Sequence, residues 1–355
     1  MLSVSSRSRP MADKNAAASR LWGAMVRVGL IGYGRWGPNL ARCIAATPAL
    51  TLAGVCDVSP DRLAEAATVH HGARLASDWR RVVADTRIDA VAVATPAACH
   101  AEIALSALRQ GKHVLVEKPL GRNSAEAIAL IEESQRRHRV LMVDHTYVFS
   151  PPVRAIRELL AGGAIGAPCY LDSIRIGPGT IRSDVNVIWD LAVHDLAILH
   201  HILPETPVAV QANGLAVEGS RLEQVAYLTL RFDTPLIAHI HVNWRAPVKT
   251  RRMLIGGTGG MLAYDDLDPT AKVRVYDGGP GAGNEAGEPW SPPLDSGEPL
   301  AAAVAHFADC ILNDRAQLSD GAAGLRIVRL LEAAGRSMAC GGRPIELHGD
   351  GALVA

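Results

Sequence analysis

The sequence predicts an α/β protein in which a doubly wound N-terminal domain is followed by an α+β domain. Three observations support this prediction. Apolar strands alternate with helical segments early in the chain, strands of period-two alternation dominate later, and a glycine-rich turn follows the first strand. Continuous apolar strands alternating with helices are typical of parallel sheets covered on both faces. Period-two alternation is typical of antiparallel sheets with one solvated face.

The composition is that of a globular protein and argues against several classes. The 355 residues include 36 Lys and Arg and 36 Asp and Glu, so the formal net charge is zero, whereas nucleic-acid binders normally carry a basic surplus. No apolar run reaches the ~18 residues that a membrane span needs. The six cysteines stand singly, which is typical of reduced thiols. We therefore expect a cytoplasmic protein with no nucleic-acid or membrane partner.

The chain is long enough for two domains, at ~100–200 residues each. Residues 1–24 are rich in Ser, Arg and Ala and lack the apolar core of a secretory signal. We expect a disordered tail there, or a start that is assigned too early; a transit peptide is the alternative, although Asp13 counts against it. The first domain is predicted over residues 25–147 and the second over residues 148–355.

The first domain is predicted to hold a parallel sheet. Its strands read VRVGLIG, LTLAGVCD, DAVAVATP, HVLVEKP and VLMVDH. Helices are expected between them over residues 36–46, 60–70, 100–109 and 124–138, and Ser124 is the expected N-cap of the last one.

The second domain is predicted to begin with a helix in PVRAIRELLAGG and to continue as a sheet. Its strands read APCYLDSIRIG, PVAVQANGLAVE, QVAYLTLRF, LIAHIHVNW, KTRRMLIGG and MLAYDD. A further helix near residues 187–202 interrupts this series. Residues 277–299 are full of Gly and Pro, which predicts a long surface loop, and two helices are expected near residues 300–313 and 322–337.

A G-x-G-x-x-G motif, made of Gly32, Gly34 and Gly37, lies between the first strand and the first helix. The first glycine allows the tight turn, the second lets the backbone approach a pyrophosphate, and the third lets the helix pack on the strand. The N-terminus of that helix offers free N–H groups to phosphates. A turn used only for packing is the alternative, but the position of the motif predicts a dinucleotide site.

The second strand ends at Asp57, where this motif expects an acid. A carboxylate there accepts hydrogen bonds from ribose hydroxyls and repels a 2′-phosphate, so NAD is the expected cofactor. NADP stays possible because Ser59 and Arg62 lie close by. The cofactor-binding residues assigned around this turn are Gly32, Tyr33, Gly34, Arg35, Trp36, Gly37 and Asp57.

Two further motifs follow strands of the first domain. ATPAACH, with Thr95, Pro96 and His100, follows the third strand, and EKP, with Glu117 and Lys118, follows the fourth. Ligands bind at the carboxyl ends of strands in open α/β sheets, so all five residues are assigned to the cofactor site. His100 is equally suited to capping a helix, and a lysine at a strand end is often only a solvated charge.

The segment VIWDLAVHDLAI, residues 187–198, places Asp190 and His194 four residues apart in an apolar helix. On an α-helix such residues share one face. The simplest interpretation is a polar stripe that meets water. The alternative is a catalytic pair, with Asp195 on another face in a structural role.

Together these motifs resemble those of the glucose-fructose oxidoreductase / inositol dehydrogenase / rhizopine-catabolism (Gfo/Idh/MocA) family, over residues 26–348. The resemblance implies a Rossmann domain followed by a domain with a large, open, mostly antiparallel sheet. It also implies NAD(P)-dependent oxidation or reduction of a sugar-like hydroxyl or ketone. GRWGPNLAR, RSDVNVIWDLAVHD and HIHVNW are further similar to the branch that acts on nucleotide-linked sugars, including 3-dehydrogenases of UDP-N-acetylglucosamine. Val193 stands where that branch commonly has proline.

The resemblance implies that Lys118, Asp190 and His194 are the catalytic residues. His194 would take the hydroxyl proton, which suits an imidazole with an unperturbed pKa of about 6.5. Asp190 would orient the imidazole ring and stabilise its charged form. Lys118 would stabilise the developing alkoxide.

Substrate contacts are expected from polar residues of the second domain and from the residue after the fifth strand. The candidates are Tyr147, Arg175, Arg182, Asn186, Trp244 and Arg251. Arginine suits phosphate through its planar fork, although the run Lys249, Arg251 and Arg252 is equally a solvated sheet edge. No metal site is expected, because His239 and His241 have no third ligand near them in sequence.

Two alternatives to a nucleotide-sugar enzyme stay open. A dehydrogenase of free cyclitols or monosaccharides would carry the same motifs. A regulator that binds a dinucleotide without catalysis would be expected to lack Lys118, Asp190 or His194, and all three are present. We expect a small-molecule substrate and a homodimer or homotetramer formed through the second domain, because an open sheet of this size usually needs covering.

Overall fold

The computed structural model describes residues 25–179, 181–217, 219–278 and 288–347. The tail predicted over residues 1–24 lies outside the described residues, as does the middle of the loop predicted over residues 277–299. Within the described ranges, no helix combines the length and the apolar character needed to cross a membrane.

The first sheet is parallel, has six strands, and follows the predicted doubly wound pattern. In chain order its strands are β1 (Val26–Ile31), β2 (Leu50–Cys56), β3 (Arg74–Ala76), β4 (Ala90–Val93), β5 (His113–Glu117) and β6 (Leu141–Asp144). The helices between them are α1 (Gly37–Ala46), α2 (Pro60–Val69), α3 (Trp79–Ala84), α4 (Ala97–Arg109) and α5 (Ser124–Arg137). The spatial order is β3-β2-β1-β4-β5-β6, so the strand order reverses between β1 and β4, where open α/β sheets bind ligands.

Both faces of this sheet are buried, as the apolar strands predict. Val28 and Leu30 of β1 pack into one hydrophobic cluster, and Ile31 packs into a second cluster on the opposite face. Three local features differ from the prediction. Helix α3 (Trp79–Ala84) is not among the predicted helices. The short strand β3 was not expected, because its three residues are mostly exposed. Asn123 rather than Ser124 caps α5, its side chain accepting a hydrogen bond from the Glu126 N–H.

The second sheet has eight strands in the order β13-β12-β11-β7-β10-β9-β8-β14. In chain order these are β7 (Pro168–Pro178), β8 (Ala209–Leu215), β9 (Val225–Arg231), β10 (Ile237–Asn243), β11 (Arg245–Gly257), β12 (Gly260–Asp265), β13 (Val273–Asp277) and β14 (Ile345–Glu346). Within this sheet, only the β7–β10 pair is parallel among the pairings of its described strands. The prediction of a mostly antiparallel sheet is confirmed.

Helices cover one face of the second sheet and join it to the first domain. They are α6 (Pro151–Ala161), α7 (Val193–Ile202), α8 (Pro299–Asn313) and α9 (Gly321–Ala339). Helix α9 packs against β8 of the second sheet and against α5 and β6 of the first. A turn of π-helix, Ile188–Ala192, leads directly into α7, and this junction faces the carboxyl ends of the parallel strands.

Candidate active site

A cavity of about 740 Å³ lies between the two domains. Its walls come from the glycine turn, from the ends of β4, β5 and β6, from the π-turn before α7, and from the second sheet. It therefore occupies the crevice at the strand-order reversal, where the topology predicts a ligand.

The glycine turn has the geometry that its sequence predicts. Gly32 has a φ of +97°, and a Cβ there would lie 2.5 Å from the Ala94 carbonyl oxygen. A Cβ on Gly37 would lie 2.3 Å from the carbonyl oxygen of Gly32, whereas one on Gly34 would meet no protein atom within 4 Å. The outer two glycines are therefore required by the turn itself. Gly34 leaves an open space that borders the cavity.

Asp57 is fixed by backbone donors at the end of β2. Its carboxylate accepts hydrogen bonds from the N–H of Tyr33 at 2.6 Å and from that of Ser59 at 2.9 Å. The Tyr33 side chain is buried beside the His70 ring, so only its backbone borders the predicted ribose site. Arg62 forms an ion pair with Glu65.

Lys118 enters the cavity from the end of β5, just before a cis Lys118–Pro119 bond. Its ammonium donates to the backbone oxygen of Asp190 at 2.8 Å and lies 3.4 Å from the Asp190 carboxylate. Burial lowers the pKa of Lys118, and the charge of Asp190 acts against that shift. Two of the three ammonium protons are thus directed at Asp190, and one is left for a ligand.

Asp190 lies in the π-turn, and its carboxylate has a different partner from the one predicted. Besides Lys118, it accepts a hydrogen bond from the indole N–H of Trp244 at 3.1 Å and lies 3.5 Å from the guanidinium of Arg182. None of the hydrogen bonds among the described residues joins Asp190 to His194. The expected orientation of His194 by Asp190 is therefore wrong. The i,i+4 spacing stacks residues on an α-helix but not through a turn with i→i+5 bonding.

His194 lines the cavity, and no side chain or backbone group of the described chain forms a hydrogen bond with its ring. The Tyr147 ring contacts it edge-on, with the two ring centroids 5.1 Å apart. Burial lowers the pKa of His194 well below its usual value, and the positive charges of Lys118 and Arg175 lower it further. His194 is therefore a neutral imidazole with free nitrogen atoms.

Tyr147, Arg251 and Asp266 form a hydrogen-bonded cluster on the wall contributed by the second domain. The Arg251 guanidinium donates to the Tyr147 hydroxyl at 2.8 Å and to the Asp266 carboxylate at 3.1 Å. Burial acts to raise the pKa of Asp266, but the hydrogen bond from Arg251 and the charge of Lys272 outweigh it, and the pKa is lowered. Tyr147, Arg182 and Arg251, all predicted substrate contacts, line the cavity.

Three predicted substrate contacts lie outside the cavity wall and support it instead. Arg175 is only 5% exposed and forms a two-pronged ion pair with Asp195, at 2.8 and 3.0 Å. Its guanidinium also stacks over the Tyr147 ring, 4.5 Å from the centroid. The Asn186 amide donates to Glu223, and Trp244 donates to Asp190. These assignments are corrected, because none of the three side chains lines the cavity and each is held by a protein partner.

His100 has the position predicted for it but is held by the backbone. One ring nitrogen lies 2.9 Å from the Pro119 carbonyl oxygen and the other lies 2.8 Å from that of Thr95. The residue is 1% exposed and ties the ends of β4 and β5 together. Thr95 and Pro96 themselves line the cavity, and the buried Thr95 hydroxyl has no hydrogen-bond partner among the described residues.

Four further histidines lie away from the cavity. His200 and His201 of α7 lie beside arginine side chains. His239 lies close to the Thr229 hydroxyl, and the His241 ring stacks on Tyr227. No group of three or more His, Cys, Asp or Glu side chains is arranged to hold a metal ion within the described ranges.

Comparison with known proteins places the chain among relatives over both domains. Residues 26–145 match the model of an oxidoreductase family with an NAD-binding Rossmann fold, and residues 153–263 match the GFO/IDH/MocA C-terminal domain. The UDP-N-acetylglucosamine 3-dehydrogenase of Acidithiobacillus ferrooxidans is 32% identical over 310 residues, which cover 85% of this chain and 94% of that protein. The chain belongs to the GFO/IDH/MocA oxidoreductase family.

Other members of the GFO/IDH/MocA family resemble the chain to different degrees. The solved structure of the Acidithiobacillus ferrooxidans enzyme superposes with a TM-score of 0.78, at 30% identity, over 89% of this chain and 98% of that one. The myo-inositol 2-dehydrogenase of Thermotoga maritima is 26% identical over 72% of this chain and 79% of its own length. The family resemblance inferred from the motifs is confirmed.

The residues of the N-terminal domain fit the NAD that this family's Rossmann fold binds. Gly34 offers an open approach to the backbone, helix α1 begins at the turn, and Asp57 is held by two backbone donors. The first two features suit a pyrophosphate, and the third suits ribose hydroxyls. The chain is therefore an NAD-binding oxidoreductase of this family.

Four polar or charged residues of the cavity wall are not predicted by any local motif. They are Asp144, Thr146, Asp266 and Glu298. Asp144 carried a usable signal, because it ends the apolar strand LMVD at the edge where EKP also lies. Asp266 directly follows β12, and Glu298 directly precedes α8. Nothing in the local sequence indicates that either residue reaches the cavity.

Proposed function

We propose that the protein is an NAD-dependent dehydrogenase that oxidises a secondary hydroxyl of a nucleotide-linked sugar, at the 3-position. The observation that carries this proposal is the pairing of a neutral, unbonded imidazole on His194 with the ammonium of Lys118 in one cavity beside the glycine turn. One group accepts a proton and the other stabilises negative oxygen, which are the two requirements for removing hydrogen from an alcohol.

His194 acts as the general base in oxidation. Its ring has no hydrogen bond to any of the described residues, so a nitrogen atom is available to the substrate hydroxyl. The positive charges of Lys118 and Arg175 keep it unprotonated, so it is ready to accept the proton near neutral pH. In the direction of reduction the same nitrogen returns the proton to the product oxygen.

Lys118 stabilises the oxygen that becomes negative as the proton leaves. Asp190 receives two of the ammonium hydrogen bonds and so directs the third N–H into the cavity. Trp244 in turn anchors the Asp190 carboxylate. When bound, the nicotinamide supplies the redox chemistry by accepting hydride from the carbon that bears the hydroxyl. Asp190 is thus a positioning residue for Lys118.

The nucleotide sugar is favoured over a free cyclitol by two considerations. A relative that matches over 94% of its own length, at 32% identity, is a UDP-N-acetylglucosamine 3-dehydrogenase. The cavity also presents the guanidinium groups of Arg182 and Arg251, which suit phosphate oxygens. A dehydrogenase of a free cyclitol or monosaccharide is the second candidate, because the Thermotoga maritima relative acts on myo-inositol.

Turnover measurements test this proposal. NADH formation is followed with UDP-N-acetylglucosamine, its uronic acid and myo-inositol, each with NAD and with NADP. The expected result is NADH formation with a nucleotide sugar, reduced by about 10²–10⁴ in His194→Ala, the range for removing a general base, and similarly reduced in Lys118→Ala. His71→Ala, at an exposed site, is the matched control and keeps activity. Turnover of myo-inositol alone would move the protein to the cyclitol dehydrogenases, and cofactor binding without turnover on a wider sugar panel would favour a regulator.

We further propose a homodimer or homotetramer formed through the outer face of the second sheet. Exposed apolar side chains lie side by side there, on neighbouring strands: Tyr170, Ile174, Tyr227, Ile237 and Leu254. Asp172 and His239 lie between them on the same face. Several large exposed apolar side chains grouped on one sheet face are typical of an interaction surface. A second copy of the chain suits this patch, since identical faces pack readily about a twofold axis.

We also propose a cytoplasmic location. The six cysteines, Cys43, Cys56, Cys99, Cys169, Cys310 and Cys340, are all free thiols, which fits a reducing compartment. Fractionation of the cells that make the protein tests this, and recovery with the cytoplasmic fraction is expected.

A further inference from the structure

Two carboxyl groups that the proposed chemistry does not use lie side by side on the cavity wall. Glu117 ends β5, Asp144 ends β6, and the two residues are partners in the register of these strands. Both line the cavity. Asp144 is 1% exposed, and one oxygen of Glu117 is completely shielded from solvent.

Because register partners on adjacent parallel strands project from the same face of the sheet, the two carboxyl groups lie next to each other, within reach of a shared hydrogen bond. An ionised carboxylate has only acceptor atoms, so two of them cannot share a hydrogen bond. One of the two must therefore carry a proton. Two buried charges of the same sign at this distance would also repel each other, which again favours a single shared proton.

The other hydrogen bonds of the pair indicate which group holds the proton. Asp144 also accepts from the Thr146 hydroxyl at 2.8 Å and from the Trp36 indole N–H at 3.4 Å, so donors surround it and favour its ionised form. The shielded Oε1 of Glu117 has no hydrogen-bond partner among the described residues. An ionised Glu117 would leave the part of its charge on that oxygen without a donor among the described residues.

The charges around the pair agree with this assignment. Burial, and then the charge of Asp144, raise the pKa of Glu117 well above its usual value. Burial also raises the pKa of Asp144, against the hydrogen bonds from Glu117, Thr146 and Trp36. Titratable groups near the pair include Lys118, which directly follows β5, and Cys43 on α1, whose thiol has a pKa raised to about 11 by burial.

We propose that Glu117 works as a neutral carboxylic acid whose proton is held by Asp144, and that the pair is a positioning device for Lys118. An ionised Glu117 would be a second anion beside the Lys118 ammonium and would compete with Asp190 for its protons. With Glu117 neutral, Asp190 is the dominant anionic partner of Lys118 on this wall. The charge of Lys118 is then directed at the substrate oxygen. The consequence for catalysis rests on the proposed role of Lys118, whereas the protonation of Glu117 does not.

The protonation is tested on the full-length protein without cofactor or substrate. Infrared spectra at neutral pH are compared between wild type, Glu117→Gln, Asp144→Asn and the control Glu133→Gln, whose carboxylate is ion-paired with Arg136 and Arg137. We expect a carboxylic-acid C=O band in wild type and in the control, and none in Glu117→Gln. In Asp144→Asn the band should titrate away at lower pH than in wild type. Absence of the band from wild type overturns the proposal, as does its persistence in Glu117→Gln.

The functional part is tested by kinetics, because glutamine mimics the neutral acid. Glu117→Gln should retain more of the wild-type kcat/KM than Glu117→Ala does, since its amide can still donate to Asp144. Glu117→Ala should lose about tenfold or more, the scale of removing a buried hydrogen bond to a charged group. Equal losses in both variants would mean that the ionised form is needed and would overturn the positioning role. If no substrate is turned over at all, the proposed function fails, and the infrared result still decides the protonation.

Discussion

The ammonium of Lys118 donates a 2.8 Å hydrogen bond to the backbone oxygen of Asp190 and lies 3.4 Å from the carboxylate of the same residue. Lys118 lies at the end of a parallel strand in the first domain, and Asp190 lies in a π-turn of the second. This contact therefore links the dinucleotide-binding half of the cavity to the half that faces the substrate. Such π-turns are frequent at functional sites.

Replacing Asp190 with asparagine should change the pH profile through Lys118. Asp190 raises the pKa of Lys118 against the effect of burial, so its loss lowers that pKa. Because Lys118 acts in its charged form, the activity of Asp190→Asn should fall at a lower pH on the alkaline side than that of wild type. The measurement is kcat/KM against pH. Trp244→Phe, which removes only a hydrogen bond to Asp190, should give a smaller effect, and an unmoved alkaline limb would contradict this account.

The acidic limb of the same profile should report His194. Its pKa is lowered by burial, by Lys118 and by Arg175, and a base works only above its pKa. Oxidation should therefore continue to a pH below about 6.5, the usual value for histidine. Removing the buried ion pair as a unit, in Arg175→Met with Asp195→Leu, deletes a positive charge together with its counter-charge. Because the charge of Arg175 is among the causes of the lowered His194 pKa and that of Asp195 is not, the acidic limb should move to higher pH. Replacing both partners avoids leaving one charge buried alone, which costs about 3–5 kcal/mol. An acidic limb that moves to lower pH or stays in place would show that Arg175 is not a cause of the lowered pKa of His194.

The parts of the site that are local in sequence were predictable, and the parts that depend on distant contacts were not. The glycine turn and Asp57 are read from short motifs whose backbone geometry follows from residue type. Arg175 was wrongly assigned to the substrate because its partner, Asp195, is twenty residues away in another element. From sequence alone, a buried arginine that is ion-paired with a carboxylate cannot be distinguished from an arginine that binds a phosphate.

The same reasoning explains the error at Asp190. A four-residue spacing predicts a shared helix face, and nothing in the local sequence indicates a turn of π-helix. The true partners of Asp190, Lys118 and Trp244, come from two different sheets. The two-domain α/β architecture, in contrast, depends on the apolar pattern of whole strands, which a few polar residues do not disturb.

Alanine at Gly34 and at Gly37 should separate folding from cofactor binding. A Cβ on Gly37 would lie 2.3 Å from a backbone oxygen, whereas one on Gly34 meets nothing within 4 Å. Gly37→Ala should lower the free energy of unfolding by about 1–3 kcal/mol, the usual cost of overpacking. Gly34→Ala should leave it within about 0.5 kcal/mol yet weaken NAD binding by about tenfold or more, equivalent to about 1.4 kcal/mol. Denaturant unfolding and fluorescence titration with NADH measure the two effects, and a destabilised Gly34→Ala would contradict the assignment of that space to the pyrophosphate.

Asp57 should determine the choice between NAD and NADP. Its carboxylate is fixed by the Tyr33 and Ser59 N–H groups, so a 2′-phosphate would meet a charge that cannot move away. Asp57→Asn keeps an acceptor for the backbone and removes the charge. The preference for NAD should fall by about tenfold, since repulsion between charges near a protein surface is worth ~1–4 kcal/mol. Dissociation constants of both cofactors measure it, with Asp61→Asn in the next helix as control. An unchanged ratio of the dissociation constants for NAD and NADP would mean that residues other than Asp57 determine the preference.

The outer face of the second sheet should hold the protein's copies together. Ile237 is 49% exposed there, with Tyr170 and Arg231 as its neighbours on the adjoining strands. Ile237→Asp places a charge in the middle of the proposed contact and should reduce the molar mass measured by light scattering to that of the monomer. Val69→Asp, on an exposed apolar site of α2, tests whether any added surface charge has this effect, and it should keep the mass of wild type. Near-ultraviolet circular dichroism checks that the Ile237→Asp variant is still folded. A wild type that is monomeric at micromolar concentration, or an Ile237→Asp variant of unchanged mass, would show that this face does not mediate assembly.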